Sequence, residues 1–126
     1  MSGELILVVE DNKKNRILFR DILQARRYRT LEAETGEEAL VLLQNERPDL
    51  ILMDIQLPGK DGITITKEIR GNVDTKDIPV FALTSYAMKG DKERMMEAGF
   101  DSYLSKPINV GEFLRTVDDF FQNCDG

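Results

Sequence analysis

Leu50-Ile51-Leu52-Met53-Asp54-Ile55-Gln56-Leu57-Pro58 is the stretch from which the architecture can be read. Its first four residues are aliphatic without alternation, which suits a strand buried on both faces, and such strands belong to parallel sheets covered by helices on each side. The run then ends in Asp54, a carboxylate that a buried strand end tolerates only when something pairs with it. Three other stretches repeat the pattern. Leu5 to Val9 runs into Glu10 and Asp11, Val80 to Leu83 into Thr84, and Tyr103-Leu104-Ser105 into Lys106. A parallel sheet brings the carboxyl ends of its strands to one rim, where ligands bind. The pattern therefore predicts a single site holding three carboxylates, one hydroxyl and one ammonium.

The segments between these runs carry helical signals. Asn12 offers a cap ahead of Ile17, Leu18, Ile22 and Leu23, and Tyr28 to Ala33 alternates like a more exposed second strand. Thr35 and Glu38 form a capping-box pattern before Ala39, Leu40, Leu42 and Leu43, with Pro48 expected to stop that helix. Pro58-Gly59 and Gly62 mark a loop before Ile63, Ile65 and Ile69, and Gly71-Asn72 closes the third helix. Pro79 opens the fourth strand. A fourth helix is expected from about Lys89 to Ala98, with Met95 and Met96 as its thin apolar side and Gly99 as its stop. Asn109 caps a fifth, whose inner face carries Phe113, Leu114, Val117, Phe120 and Phe121. The result is five strands and five helices in strict alternation, an α/β doubly wound parallel sheet, with residues 1–126 forming one domain.

Composition narrows the chemistry. The chain has 126 residues, 17 basic and 23 acidic, for a net charge of −6, with no basic stretch dense enough to track a phosphate backbone. Direct nucleic-acid binding is not expected. No apolar run reaches the roughly 18 residues of a membrane span, and Met1-Ser2-Gly3-Glu4 lacks a signal-peptide pattern, so a cytoplasmic protein is the default. The single Cys124 has no partner for an internal disulfide. Histidine is absent, which removes imidazole-based zinc sites and serine triads from consideration. Any chemistry that needs a phosphohistidine must import it from another protein.

Taken singly, each rim residue has a plainer reading. Glu10-Asp11-Asn12 suits a solvated helix start, Lys106 can snorkel, and Thr84 can bond backbone. Their conjunction at four strand ends points elsewhere. Three clustered carboxylates repel one another by several kcal/mol per pair at an effective dielectric of about 20, and a hard divalent cation relieves this. An oxygen-only donor set that leaves room for water and phosphate oxygens is the pattern of Mg²⁺. Asp54 can then attack phosphorus as a carboxylate, forming an acyl phosphate while Lys106 offsets charge on the transferring group.

The motifs Val9-Glu10-Asp11-Asn12, Leu52 to Pro58 with Gly62, Leu83-Thr84-Ser85 and Ser105-Lys106-Pro107 resemble the CheY-like receiver domains of bacterial two-component response regulators, over essentially the whole chain. The resemblance implies a flavodoxin-like strand order of 2-1-3-4-5. It implies Asp54 as the phosphorylated residue, with Glu10, Asp11, Asp54 and the Gln56 backbone carbonyl as Mg²⁺ ligands. Thr84 and Lys106 would bind the phosphoryl oxygens, and Lys106-Pro107 would be a cis peptide bond. Glu10 stands where the family often has Asp. Tyr103 falls at the family's switch aromatic, turning inward as Thr84 is drawn to the phosphoryl group. The face of the fourth helix, fifth strand and fifth helix would then change. Gln56 and Tyr86 fall at positions that tune phosphoryl lifetime.

The function implied is a phosphorelay switch rather than an enzyme, charged by a histidine kinase or histidine phosphotransfer protein and read by a downstream protein target. It would be a monomer or a phosphorylation-dependent dimer, showing only self-phosphotransfer and slow autodephosphorylation. The segment Tyr86 to Asp91 with Glu97-Ala98-Gly99 is similar both to single-domain DivK-type regulators and to receivers attached to hybrid kinases, and the free-standing form is the expectation. The alternative is an Mg²⁺-dependent phosphatase or phosphotransferase with an aspartyl nucleophile. Haloacid-dehalogenase-type enzymes carry a second aspartate two residues after the first, where this chain has Gln56. A flavodoxin-like carrier would need a glycine- or hydroxyl-rich phosphate cradle where this chain has the acidic turn Glu10-Asp11-Asn12.

Overall fold

The apolar runs become five parallel strands, β1 (Leu5–Val9), β2 (Arg29–Ala33), β3 (Leu50–Asp54), β4 (Val80–Thr84) and β5 (Ser102–Ser105), in the order β2-β1-β3-β4-β5. They alternate with α1 (Lys13–Ala25), α2 (Gly36–Leu42), α3 (Gly62–Gly71), α4 (Asp91–Ala98) and α5 (Val110–Cys124). This is a computed structural model, and it describes residues 3–85 and 91–124. The beginning of the expected fourth helix at Lys89 lies outside the described residues, as does Tyr86.

Strand continuity follows from burial. Every residue of β1, β3 and β4 is buried, while β2 and β5, at the edges, are half-exposed. One face of the sheet presents Ile6, Val8, Leu50, Leu52, Phe81, Leu83 and Leu104 to α1 and α5, where Phe19 and Phe113 stack at 5.6 Å. The other presents Leu7, Val9, Ile51, Met53, Val80 and Ala82 to α2, α3 and α4. Each such fully buried aliphatic side chain contributes about 1.5–3 kcal/mol by leaving water.

Register then sets the rim. Val9 pairs with Met53, so the next residue of each strand, Glu10 and Asp54, arrive side by side. Asp54 pairs with Leu83 and Thr84 with Ser105, one residue before Lys106. The Lys106–Pro107 peptide is cis.

Three local expectations change. On α1 the inward stripe is Arg16, Phe19 and Leu23, with Ile22 partly buried, whereas Leu18 is exposed. Helix α2 ends at Leu42, well before Pro48: Gln44 and Asn45 donate their N–H groups only three residues back, to the Val41 and Leu42 carbonyls, so the chain tightens out of the α-helical pattern. On α4 Met95 and Ala98 face the core, and Met96 is exposed. The capping expectations at Asn12, Thr35 and Asn109 match side-chain oxygens that accept from Asn15, Glu38 and Glu112 N–H groups.

Candidate functional site: an acidic rim bridged by Lys106

Glu10 continues β1 by one residue: its N–H donates to the Ala33 carbonyl at 3.0 Å, after which the chain leaves the sheet. Its side chain is 1% exposed, and that of Asp54 is as deeply placed, with the residue 3% exposed. Two carboxylates at such depth need a cation or a proton. The Lys106 ammonium supplies a cation, donating to Glu10 Oε1 at 2.8 Å and to Asp54 Oδ2 at 2.9 Å. Lys106 is held in turn by its own N–H, which donates to the Thr84 carbonyl at 2.8 Å and so continues the β4–β5 ladder past the end of the sheet.

The remaining carboxylate oxygens meet backbone. Gln56 N–H donates to Asp54 Oδ1 at 3.0 Å, and Asn12 N–H to Glu10 Oε2 at 3.3 Å. Asp11 sits at the exposed lip, yet one oxygen from each of Glu10, Asp11 and Asp54 lies within 4.8 Å of the others. Three carboxylates against one ammonium leave two net negative charges, the charge of one divalent cation. The groups record this imbalance. Burial first, then the hydrogen bond and negative charge of Asp54, push the Glu10 carboxyl up to about 7, against the opposing pull of Lys106. Burial works against the Lys106 ammonium, but the hydrogen bonds and charges of Glu10 and Asp54 outweigh it and hold its pKa above the usual value. All the ligand atoms are hard oxygens, a set that fits Mg²⁺ and not a soft metal.

The loop after β3 closes tightly over this rim. Gly62 N–H donates to the Ile55 carbonyl at 2.9 Å, and a methyl group on Gly62 would meet the Asp54 carbonyl oxygen at 2.2 Å. Gln56 is exposed in that loop. Thr84 is buried at the end of β4, on the α2–α4 face of the sheet by strand parity. Tyr103 is half-buried and pairs with Ala82 in register, so it shares that face. Glu10, Asp54 and Lys106 continue the opposite parity, that of Val8, Leu52 and Leu104.

A model of the response regulator receiver domain matches residues 6–118. The chain belongs to that family. Among similar receiver proteins, the polar-differentiation response regulator DivK of Brucella anthropi is 46% identical over 115 residues, covering 91% of this chain and 94% of that protein. The receiver domain of sensor histidine kinase PA1611 from Pseudomonas aeruginosa, a structure with a magnesium ion coordinated in the active site cleft, superposes with a TM-score of 0.85 at 36% identity, covering 94% and 97% of the two chains. The chemotaxis response regulator CheY4 of Vibrio cholerae gives 0.89 at 28% identity, covering 94% and 98%. This receiver domain is thus a phosphoacceptor signalling domain of the DivK-like kind. No helix among its described residues is long and apolar enough to cross a membrane.

One residue against the rim escaped the sequence reading. Arg16 is 7% exposed on the inward stripe of α1 and donates to the Glu10 carbonyl at 3.0 Å. Its signal was available: Arg16, Phe19 and Leu23 share one helical stripe, and a cation on an apolar stripe demands partners.

Proposed function

We propose that this receiver domain accepts a phosphoryl group from a partner's phosphohistidine onto Asp54 and signals through a change at α4, β5 and α5. The observation that carries the reading is the Lys106 ammonium shared between two deeply buried carboxylates, Glu10 and Asp54, beside a third at the lip. In the transfer, an Asp54 carboxylate oxygen forms a bond to phosphorus as the phosphorus–nitrogen bond breaks. The electron pair of that bond returns to the imidazole, whose other nitrogen already carries a proton and which leaves neutral. Glu10, Asp11, Asp54 and the Gln56 carbonyl would hold Mg²⁺, which when bound would offset charge on the transferring group. Lys106 binds a phosphoryl oxygen from the position it occupies against Asp54, and the Thr84 hydroxyl binds another.

The switch follows from the shared face of Thr84 and Tyr103. Movement of the Thr84 side chain toward the phosphoryl group opens space on the α4 side of the sheet, and Tyr103 turns into it. Moving such an equilibrium from 1:99 to 99:1 takes about 5.5 kcal/mol of differential interaction, within reach of a doubly charged group meeting an ammonium and a hydroxyl. Gln56 and Tyr86, two residues beyond Asp54 and Thr84 in sequence, set how quickly water reaches the phosphoryl group. The unit takes in residues 1–126, works in the cytoplasm, and meets two kinds of protein, a histidine kinase or phosphotransfer donor and a downstream target. It stays monomeric or dimerises when phosphorylated.

Intact-mass measurement after incubation with acetyl phosphate and Mg²⁺ tests the central claim. The wild-type chain is expected to gain one phosphoryl mass and to lose it slowly, and Asp54→Asn to gain none. Equal labelling of Asp54→Asn would overturn the assignment.

A further inference from the structure

The guanidinium of Arg16 has no part in the chemistry described so far, yet it is the only buried arginine among the described residues and it points at the acidic turn. Three acceptors hold it. Nη1 donates to the Glu10 carbonyl at 3.0 Å, Nη2 to Glu34 Oε1 at 3.0 Å, and Nε lies 3.3 Å from Glu32 Oε1. The Glu10 carbonyl belongs to the peptide that joins Glu10 to Asp11, where β1 turns off the sheet. The N–H of Glu10 is still in the ladder, on Ala33, whereas its carbonyl has left the ladder and is held by the Arg16 side chain. Arg16 itself stands in the first turn of α1, its N–H on the Asn12 carbonyl at 2.9 Å. Helix, turn and the end of β2 are thus tied through one planar fork, a geometry that a single ammonium cannot reproduce.

We propose that Arg16 is a positioning residue of the cation site: by gripping the Glu10 carbonyl while braced by Glu32 and Glu34, it fixes the Glu10–Asp11 peptide and with it the spacing of the acidic pair for Mg²⁺. The inference rests on the Mg²⁺ reading above. Its direction separates it from simple electrostatics. Removing a cation beside three carboxylates makes the site more negative, and by Coulomb's law alone would tighten binding of a divalent cation. Loss of positioning weakens it instead, and groups that orient metal ligands without touching the metal are typically worth about ten- to a hundredfold in affinity.

Calorimetric titration of the full chain with Mg²⁺ tests this, on wild type, Arg16→Gln, Arg16→Lys and Val117→Ala. Arg16→Gln is expected to bind Mg²⁺ about tenfold or more weakly. Arg16→Lys keeps the charge but not the fork, and is also expected to bind more weakly. Val117 is fully buried in α5, so Val117→Ala lowers stability without touching the turn and should keep wild-type affinity. Unchanged or tighter binding in Arg16→Lys overturns the proposal, as does an equal loss of affinity in Val117→Ala. Should Arg16→Gln fail to fold, Arg16→Lys against Val117→Ala carries the decision. A wild-type chain that binds no Mg²⁺ would remove the metal reading and this inference together, whereas wild-type binding matched by both Arg16 variants removes this one alone.

Discussion

At the scale of single residues, the rim is held by one ammonium serving two almost wholly buried carboxylates. Replacing Lys106 by Met would leave Glu10 and Asp54 buried without their cation, and breaking such a group costs about 3–5 kcal/mol. Denaturant midpoints in the absence of metal should show that loss near neutral pH. It should shrink in acid, where Glu10 takes up a proton. The same carboxyl gives a pH signature in the intact protein. Folding raises Glu10 from 4.5 to about 7, so the folded state favours the protonated form. Its contribution is present in full below about pH 4.5 and is lost as the pH climbs to about 7. Lys106, also raised, contributes below its usual 10.5 and does not act in that window. Metal-free melting temperatures should therefore fall relative to Glu10→Gln between these two pH values, and Mg²⁺ should stabilise wild type more above pH 7 than below pH 5. Parallel curves for wild type and Glu10→Gln would contradict this.

At the scale of elements, the strands are legible because unbroken aliphatic runs admit few other structures, and the polar residues that end four of the runs put Glu10, Asp54, Thr84 and Lys106 at strand ends. Helix faces were harder. Ile17 and Leu18 are both aliphatic, but the register that buries Phe19 and Leu23 turns Leu18 outward and brings Arg16 in, and only the sheet beneath decides that register. Met95 and Met96 pose the same ambiguity on α4. Pro48 does not set the end of α2, because tight turns closed by the Gln44 and Asn45 N–H groups have already ended the helix. The approach of the β3–α3 loop to the Asp54 carbonyl was also invisible in sequence, since it depends on three-dimensional closure. It can be tested with a pair of glycines from one helix. Gly62→Ala forces a methyl against the Asp54 carbonyl and should cost about 1–3 kcal/mol. An added methyl at Gly71 meets nothing within 4 Å, and Gly71→Ala should be neutral or stabilising by up to about 1 kcal/mol. Urea midpoints of the two variants read the contrast directly, and phosphorylation by acetyl phosphate should drop only in Gly62→Ala.

At the scale of the whole molecule, the strand order sends the chain to one edge with β2 and to the other with β5, leaving the acidic turn and Asp54 on the adjacent strands β1 and β3. The last helix must then return across the sheet to cover the face shared with α1. Tyr28 and Asp118 secure that return. The Tyr28 ring packs 5.5 Å from Phe121, its hydroxyl donates to Asp118, and Arg26 donates to the same carboxylate from the end of α1. Burial first, then the hydrogen bond and charge of Asp118, push the Tyr28 phenol above its usual 10.0. The folded state therefore prefers the neutral phenol, and its contribution is complete below pH 10 and declines as the pH rises further. Tyr28→Phe keeps the ring packing and removes only the hydroxyl, while Arg26 still pairs Asp118, so the cost near neutral pH should be about 1–2 kcal/mol. Because phenylalanine does not titrate, the advantage of wild type over Tyr28→Phe should narrow above pH 10, where the unfolded chain ionises Tyr28 and the folded chain does not. Urea denaturation of both proteins near neutral pH and again about one unit above the ordinary tyrosine pKa reads the difference, at about 1.4 kcal/mol per pH unit once the unfolded phenol is ionised. A stability gap that stays constant across that range would mean that Tyr28 ionises in the folded protein as freely as in water, and that the clasp on α5 is made by Arg26 and Asp118 without it.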